Sequence, residues 1–220
     1  MTLEDGMWVA ASCGADGTAE LRTKASGLED LEVVRYEPVT GTYEVTKGRA
    51  DPAEMVDCHL VIASDEGPLV DGSVSLAAQD GRFVRTVSIH EGLGHVRVPR
   101  GAYSVTVRVG SQVHDNDHEY YFTRSVDGGV QDVPFHLPGG SLRLTVLDAQ
   151  SRPVDGERVT IVSRGRDDAR GCSWRIRSSG RVRSGLIEFS AVPAAQLSVR
   201  FGRREIASLS GPCAVTLNLP

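Results

Sequence analysis

Apolar and polar residues alternate in short runs along almost the whole chain, as in Ser73-Val74-Ser75-Leu76, Tyr103-Ser104-Val105-Thr106-Val107 and Leu142-Arg143-Leu144-Thr145-Val146. A period of two sends successive side chains to opposite faces of a strand, so these runs predict half-buried β-strands. Gly, Pro, Asp and Asn punctuate them at every break, and helical periodicity is nearly absent. Val33 to Tyr36 and Thr42 to Thr46 flank Pro38 to Gly41 as a hairpin, and His59 to Ala63 is an apolar strand. Tyr120 to Val126 and Val133 to Leu137 flank the turn Asp127-Gly128-Gly129, while Asp51 to Asp57 has room for one helical turn. Leu60, Ile62, Val74, Leu76, Val105, Val107, Leu144, Val146, Val159, Ile161, Phe189, Leu197 and Val199 fall on the inward positions and form the expected core.

Much of the pattern occurs twice. Leu69 to Arg108 and Pro153 to Arg200 each contain a Val-Asp-Gly turn, Val70-Asp71-Gly72 and Val154-Asp155-Gly156, leading into an alternating strand. Each then runs through a Gly and a strand to a Val-Pro corner, Val98-Pro99 and Val192-Pro193, followed by a last alternating strand. Repetition on this scale predicts two copies of one supersecondary unit. The segment Leu137-Pro138-Gly139-Gly140-Ser141 is the best boundary between them, because Pro-Gly-Gly breaks both regular structures.

This order of strands, turns and Val-Pro corners resembles the carboxypeptidase regulatory-like and collagen-adhesin B-type modules, over residues 59 to 110 and 141 to 220. The resemblance implies two tandem prealbumin-like, Ig-like β-sandwiches in an all-β chain. The organisation expected is an acidic β-rich amino-terminal extension over 1–57, a first sandwich over 58–138 and a second over 139–220. Such modules serve mainly as structural and binding parts of larger proteins. The isopeptide crosslink of some relatives needs a buried Lys, and Lys24 and Lys47 sit in no matching strand.

Composition narrows the role. At 220 residues, 40% hydrophobic and 24% charged, the chain has the balance of a soluble globular protein with a core large enough to need no disulfide staples. No run approaches a membrane span, and Met1 to Gly6 is acidic with no leader core, so a cytoplasmic address is expected. Cys13, Cys58, Cys172 and Cys213 lie singly and are read as free thiols. Only 2 of the 24 basic residues are Lys, a bias that GC-rich bacterial DNA produces. Residues 1–70 carry a net charge of −9, residues 71–140 carry −2 and residues 141–220 carry +6, so acidic and basic regions are available to meet within or between molecules.

The ten extra residues of the second copy lie between Arg164 and Arg183, a stretch with seven Arg against only Asp167 and Asp168. Reading Ser178-Ser179-Gly180 as a hairpin loop pairs Arg177 with Arg181 and Arg175 with Arg183, and places Trp174, Ile176 and Val182 on the opposite face. Like charges across a ladder repel, so an anionic surface should compensate them. The candidates are the acidic amino-terminal third, a partner protein, a phosphate-bearing ligand or nucleic acid. A pI near 5.7 and a single stacking residue, Trp174, weigh against nucleic acid. The expected partner-binding residues are therefore Arg175, Arg177, Arg181, Arg183 and Trp174, with an unidentified acidic protein as partner, self-association left open and no membrane contact.

Catalytic signatures are missing: there is no G-x-S-x-G elbow, phosphate loop or dinucleotide fingerprint. The expected function is a non-catalytic interaction or scaffold module of a soluble bacterial protein, with no cofactor. The alternative is a metal-binding module or metal-dependent enzyme on the segment His114 to Glu119, with His114, Asp117 and His118 as weak ligand candidates.

Overall fold

The computed structural model describes residues 8–13, 19–24, 31–37, 42–48, 55–69, 71–81, 83–110 and 117–219, with side chains described from residue 55 onward, Asp117 apart. Among them there are strands, turns and no helix. In chain order the strands are β1 (Trp8–Cys13), β2 (Ala19–Lys24), β3 (Leu31–Glu37), β4 (Thr42–Gly48), β5 (Met55–Ser64), β6 (Gly67–Pro68), β7 (Asp71–Ala78), β8 (Phe83–His90), β9 (Leu93–Pro99) and β10 (Gly101–Val109). They continue as β11 (Asp117–Val126), β12 (Val130–Leu137), β13 (Gly140–Leu147), β14 (Arg158–Asp167), β15 (Cys172–Arg181), β16 (Leu186–Val192), β17 (Gln196–Phe201), β18 (Arg204–Ser210) and β19 (Ala214–Asn218). The chain divides into two compact units, one made of Met1–Val61, Val70–Val107 and Phe122–Pro134, the other of Ile62–Leu69, Arg108–Tyr121 and Phe135–Pro220.

In the first unit β1 to β4 form an antiparallel meander, with Tyr36 opposite Tyr43 in the hairpin expected around Pro38. Its last strand extends a sheet through β8 and β7 to β10. The other layer pairs β5 with β9 and β12. The one helical turn expected over Asp51 to Asp57 is not formed at its end, because Met55 already opens β5 and pairs with Pro99. The rest of that segment, and Val70, lie outside the described residues.

The second unit sets the three strands β16–β13–β19 against β15–β14–β17–β18. The interleaving of the two layers is visible at Gly180 of β15. A Cβ there would stand 2.7 Å from Ile187 Cδ1 of β16, so the missing side chain is what lets the isoleucine in.

Strand for strand, the units repeat one another. Hairpins β7/β8 and β14/β15 lead to β9 and β16, which pair with β5 and β13, before β10 and β17 return beside β7 and β14. The turns repeat as well. Glu91-Gly92 has φ of 50° and 77°, and Ser184-Gly185 has 49° and 79°, the paired left-handed conformations of a type I′ hairpin turn. Beside them Asp71 contacts the His90 ring at 3.3 Å, and Asp155 accepts from the Ser184 backbone N–H at 2.8 Å. At the Val-Pro corner of the first unit the Tyr103 hydroxyl donates to the Pro99 carbonyl at 2.6 Å, whereas Leu197 takes the corresponding place after Pro193. The all-β sandwich architecture implied by the family resemblance is the fold observed. Every core residue expected from alternation is at most 6% exposed. Cys58, Cys172 and Cys213 are free thiols, and burial, reinforced by Asp57, pushes Cys58 up to about 11.

Candidate functional site: an arginine face on a long hairpin

The extra residues of the second copy lengthen the β14/β15 hairpin, and its turn is not where the sequence suggested. β15 runs unbroken through Ser178-Ser179-Gly180, and the chain reverses instead at Asp168 to Gly171. Asp167 caps this turn, its carboxylate accepting from the backbone N–H groups of Ala169 at 3.0 Å and Arg170 at 3.2 Å, and Gly171 supplies the left-handed residue at φ 60°. The expected pairs Arg177 with Arg181 and Arg175 with Arg183 are therefore replaced by Arg164 with Arg175 and Arg158 with Arg181. Parity is preserved. Arg158, Arg164, Arg166, Arg175, Arg177 and Arg181 all point outward, while Val159, Ile161, Trp174 and Ile176 face the core.

Trp174 belongs to that core more than to a docking face. It is 7% exposed, its indole N–H donates to Ser163 Oγ at 3.2 Å, and its ring lies over Gly165, where a Cβ would come within 2.5 Å of it. Its edge, with Tyr121, Arg164, Gly165, Arg166, Ser173 and Arg175, lines an open groove of about 430 Å³.

Internal carboxylates neutralise part of the arginine face. Glu119, whose side chain is 7% exposed, accepts from Arg108 Nε at 2.9 Å, from Arg175 at 2.8 Å and from the Tyr121 hydroxyl. Burial alone would raise the Glu119 pKa; the donors from Tyr121, Arg108 and Arg175 outweigh it and hold it below the usual carboxylate value. Arg170 near the turn is held by Asp65 at 3.0 Å, and Arg166 by Asp168 at 3.3 Å. Arg181 donates to the Gly156 carbonyl at 2.9 Å. Arg164, Arg177 and Arg183 have no hydrogen-bond or ion-pair partner for their guanidinium groups among the described residues.

Asp65 fastens the hairpin tip. Its carboxylate meets His136 at 2.7 Å, the backbone N–H of Gly139 at 2.7 Å and Arg170. The His136 contact above all, followed by Gly139 and Arg170, lowers its pKa from 3.8 to about 2. A folded-state pKa below the open-chain value adds stability above pH 4 that fades as the pH falls toward 2. We expect Asp65→Asn to flatten the loss of stability between about pH 4 and pH 2 in acid titrations followed by urea denaturation. Identical slopes for variant and parent would remove Asp65 from the acid response.

Of the segment considered for metal binding, the two described side chains, His118 and Glu119, are engaged elsewhere. His118 is buried, its Nε2 at 3.0 Å from the Ala191 carbonyl oxygen, which also accepts from the Tyr120 hydroxyl. Burial pulls His118 down to about 4, so the ring is neutral near pH 7. Its neighbour Glu119 is engaged by Arg108, Arg175 and Tyr121 as above. His114 and the side chain of Asp117 lie outside the described residues. Among the described residues no three of His, Cys, Asp and Glu come together as a metal-binding group.

No family model matches the chain, and no curated protein does. Solved structures do. The Bacillus anthracis TIE protein is 12% identical over 97% of this chain and 46% of its own, with a TM-score of 0.30. The shaft pilin of Lactobacillus rhamnosus GG is 8% identical over 74% of this chain and 97% of its own, at 0.32, and the pilus 2b backbone protein of group B streptococcus is 9% identical over 97% and 96%, at 0.28. This chain thus spans less than half the length of the TIE protein. The cytoplasmic address expected from the first residues is corrected by these findings: the similar chains include a shaft pilin and a pilus backbone protein, and an acidic chain start carries no information about location.

Proposed function

We propose that the protein is a non-catalytic interaction module whose second unit engages an acidic surface of another protein through the outward face of β14 and β15. The observation that carries this reading is the incomplete neutralisation of that face. Arg164 stands directly across the ladder from Arg175, the Glu119 carboxylate nearest them is shared with Arg108, and Arg177 continues the row with no acidic partner among the described residues. Like charges across a ladder cost a few tenths of a kcal/mol or more, and a bound carboxylate relieves that cost. Arg175, Arg177, Arg181 and Arg183 are all exposed, as a docking face requires, and Trp174 contributes as the buried support beneath it. The hairpin is also the element that the first copy has only in shorter form, which suits a function added to a shared scaffold.

The test is the binding of a fluorescent polyglutamate peptide to the parent protein and to Arg164→Ser/Arg177→Ser, measured against ionic strength. Neither arginine holds an internal carboxylate, so the variant should fold like its parent. We expect it to lose at least about fivefold in affinity at low salt and to show a flatter salt dependence. Superimposable curves would reduce the face to solvated charge.

A further inference from the structure

The outward face of the β5/β9 pair, in the first unit, carries two histidines directly opposite one another. His59 and His95 are partners in the antiparallel register, and their ring centroids are 5.5 Å apart. Each ring has one nitrogen beside a carboxylate. His59 Nδ1 is 3.3 Å from Asp132, and His95 Nε2 is 3.4 Å from Asp57. At His59, a carboxylate that accepts the Nδ1–H fixes the tautomer in which Nε2 carries the lone pair, the arrangement by which carboxylates outside a coordination sphere prepare histidine ligands, and at His95 the Asp57 carboxylate stands at ion-pair distance on the corresponding side. The remaining nitrogens, His59 Nε2 and His95 Nδ1, have no partner among the described residues.

We propose that His59 and His95 form a two-imidazole site for a divalent transition-metal ion of the zinc and copper kind, with Asp57 and Asp132 holding the rings and water completing the coordination. The spacing suits it. A metal about 2.0 to 2.1 Å from each ligating nitrogen lies about 3.2 Å from each ring centre, and a tetrahedral angle between the two then separates the centres by about 5.2 Å. The observed 5.5 Å is close to that separation, so the two ring centres stand at a distance one shared ion can bridge once both free nitrogens turn toward it. The local charge permits a cation, because Arg97, 3.3 Å from Asp57, offsets one of the two carboxylates, and Asp132 has no arginine or lysine partner among the described residues. Imidazole nitrogens select zinc, copper or nickel over calcium and magnesium, which prefer oxygen. The His59 and His95 side chains are 53% and 58% exposed, so both rings are open to an ion from solvent. With two protein ligands where a structural zinc centre has four, the site is exchangeable. It lies in the other unit from the arginine face and stands or falls independently of it.

The experiment titrates Zn²⁺ into the full chain by calorimetry and records the electron paramagnetic resonance spectrum of the Cu²⁺ form. One saturable ion per chain is expected, with hyperfine structure from two nitrogens. His59→Gln and His95→Gln should each weaken Zn²⁺ binding by at least about tenfold, and Asp132→Asn by a smaller factor. His90→Gln, another exposed histidine 3.3 Å from an aspartate, should leave it unchanged. Because both rings are on the surface, folding is not at stake in these variants, and the nitrogen count needs no variant at all. No saturable binding, binding retained by the His59→Gln/His95→Gln double variant, or a spectrum with a single nitrogen would each overturn the proposal.

Discussion

Replacing Gly139 with alanine should remove at least about 4 kcal/mol of the stability of the second unit. Gly139 holds φ at 116°, where an L-residue is strained, and a Cβ would overlap the backbone carbonyl of Val192 and stand 2.6 Å from Pro193 Cα. Neither obstacle is a flexible side chain that could swing away. The backbone of Gly139 is also pinned from both sides, its N–H donating to Asp65 Oδ2 at 2.7 Å and its carbonyl accepting from the Asp65 N–H at 3.0 Å. Strain at such a φ costs about 1 to 3 kcal/mol, and backbone overlap that cannot relax brings the total to at least about 4 kcal/mol, a large share of the roughly 5 to 15 kcal/mol that holds a domain folded. Gly156→Ala is the matched comparison, with φ at 78° and nothing within 4 Å of the new Cβ, and should cost only about 1 to 2 kcal/mol. Urea denaturation of the two variants checks both values. Equal shifts would mean that the corner at Val192-Pro193 yields more easily than its packing indicates.

That glycine also shows what composition leaves out. Pro138-Gly139-Gly140 reads as a boundary because Pro and Gly break regular structure, and all three residues are buried. Composition cannot distinguish a loose connection from a place where two backbones must touch. The hairpin shows the same limit. Ser178-Ser179-Gly180 and Asp168-Ala169-Arg170-Gly171 are both acceptable turns by residue type, and the symmetrical spacing of Arg around Gly180 favoured the wrong one. The deciding signal was Asp167, whose carboxylate caps the true turn, together with Gly171 in the left-handed position four residues later. What was legible had a period of two, namely which residues face the core and that the pattern occurs twice. That information survives an error in turn placement as long as strand parity is kept. The same period separates the two described side chains of the His114 to Glu119 segment. Neighbours along a strand point to opposite sides, so His118 turns to Ala191 while Glu119 turns to Arg108 and Arg175. The His59–His95 pair was invisible for the converse reason, since only the register of two strands brings those residues together.

The register also separates arginines that looked equivalent. Arg175→Ser should destabilise the protein by about 2 kcal/mol, whereas Arg177→Ser, one outward position away, should cost less than about 0.5 kcal/mol. Arg175 donates at 2.8 Å to a carboxylate whose side chain is 7% exposed, and its removal leaves Glu119 with Arg108 and Tyr121 alone. Breaking a fully buried ion pair costs about 3 to 5 kcal/mol, but the Arg175 side chain is 47% exposed and Glu119 keeps its other donors, which reduces the figure. Arg177 faces Val162 across the ladder and gives up no such contact. Glu119→Gln supplies the third corner of a double-mutant cycle, because a neutral amide has little to gain from the guanidinium. A coupling above about 1 kcal/mol between Arg175→Ser and Glu119→Gln would assign the loss to this ion pair, and additive effects would assign it to packing of the arginine stem against its neighbours. A stability loss in Arg175→Ser would also explain any weakening of partner binding in that variant, so the docking face is better judged from Arg164 and Arg177, which carry charge without holding the fold.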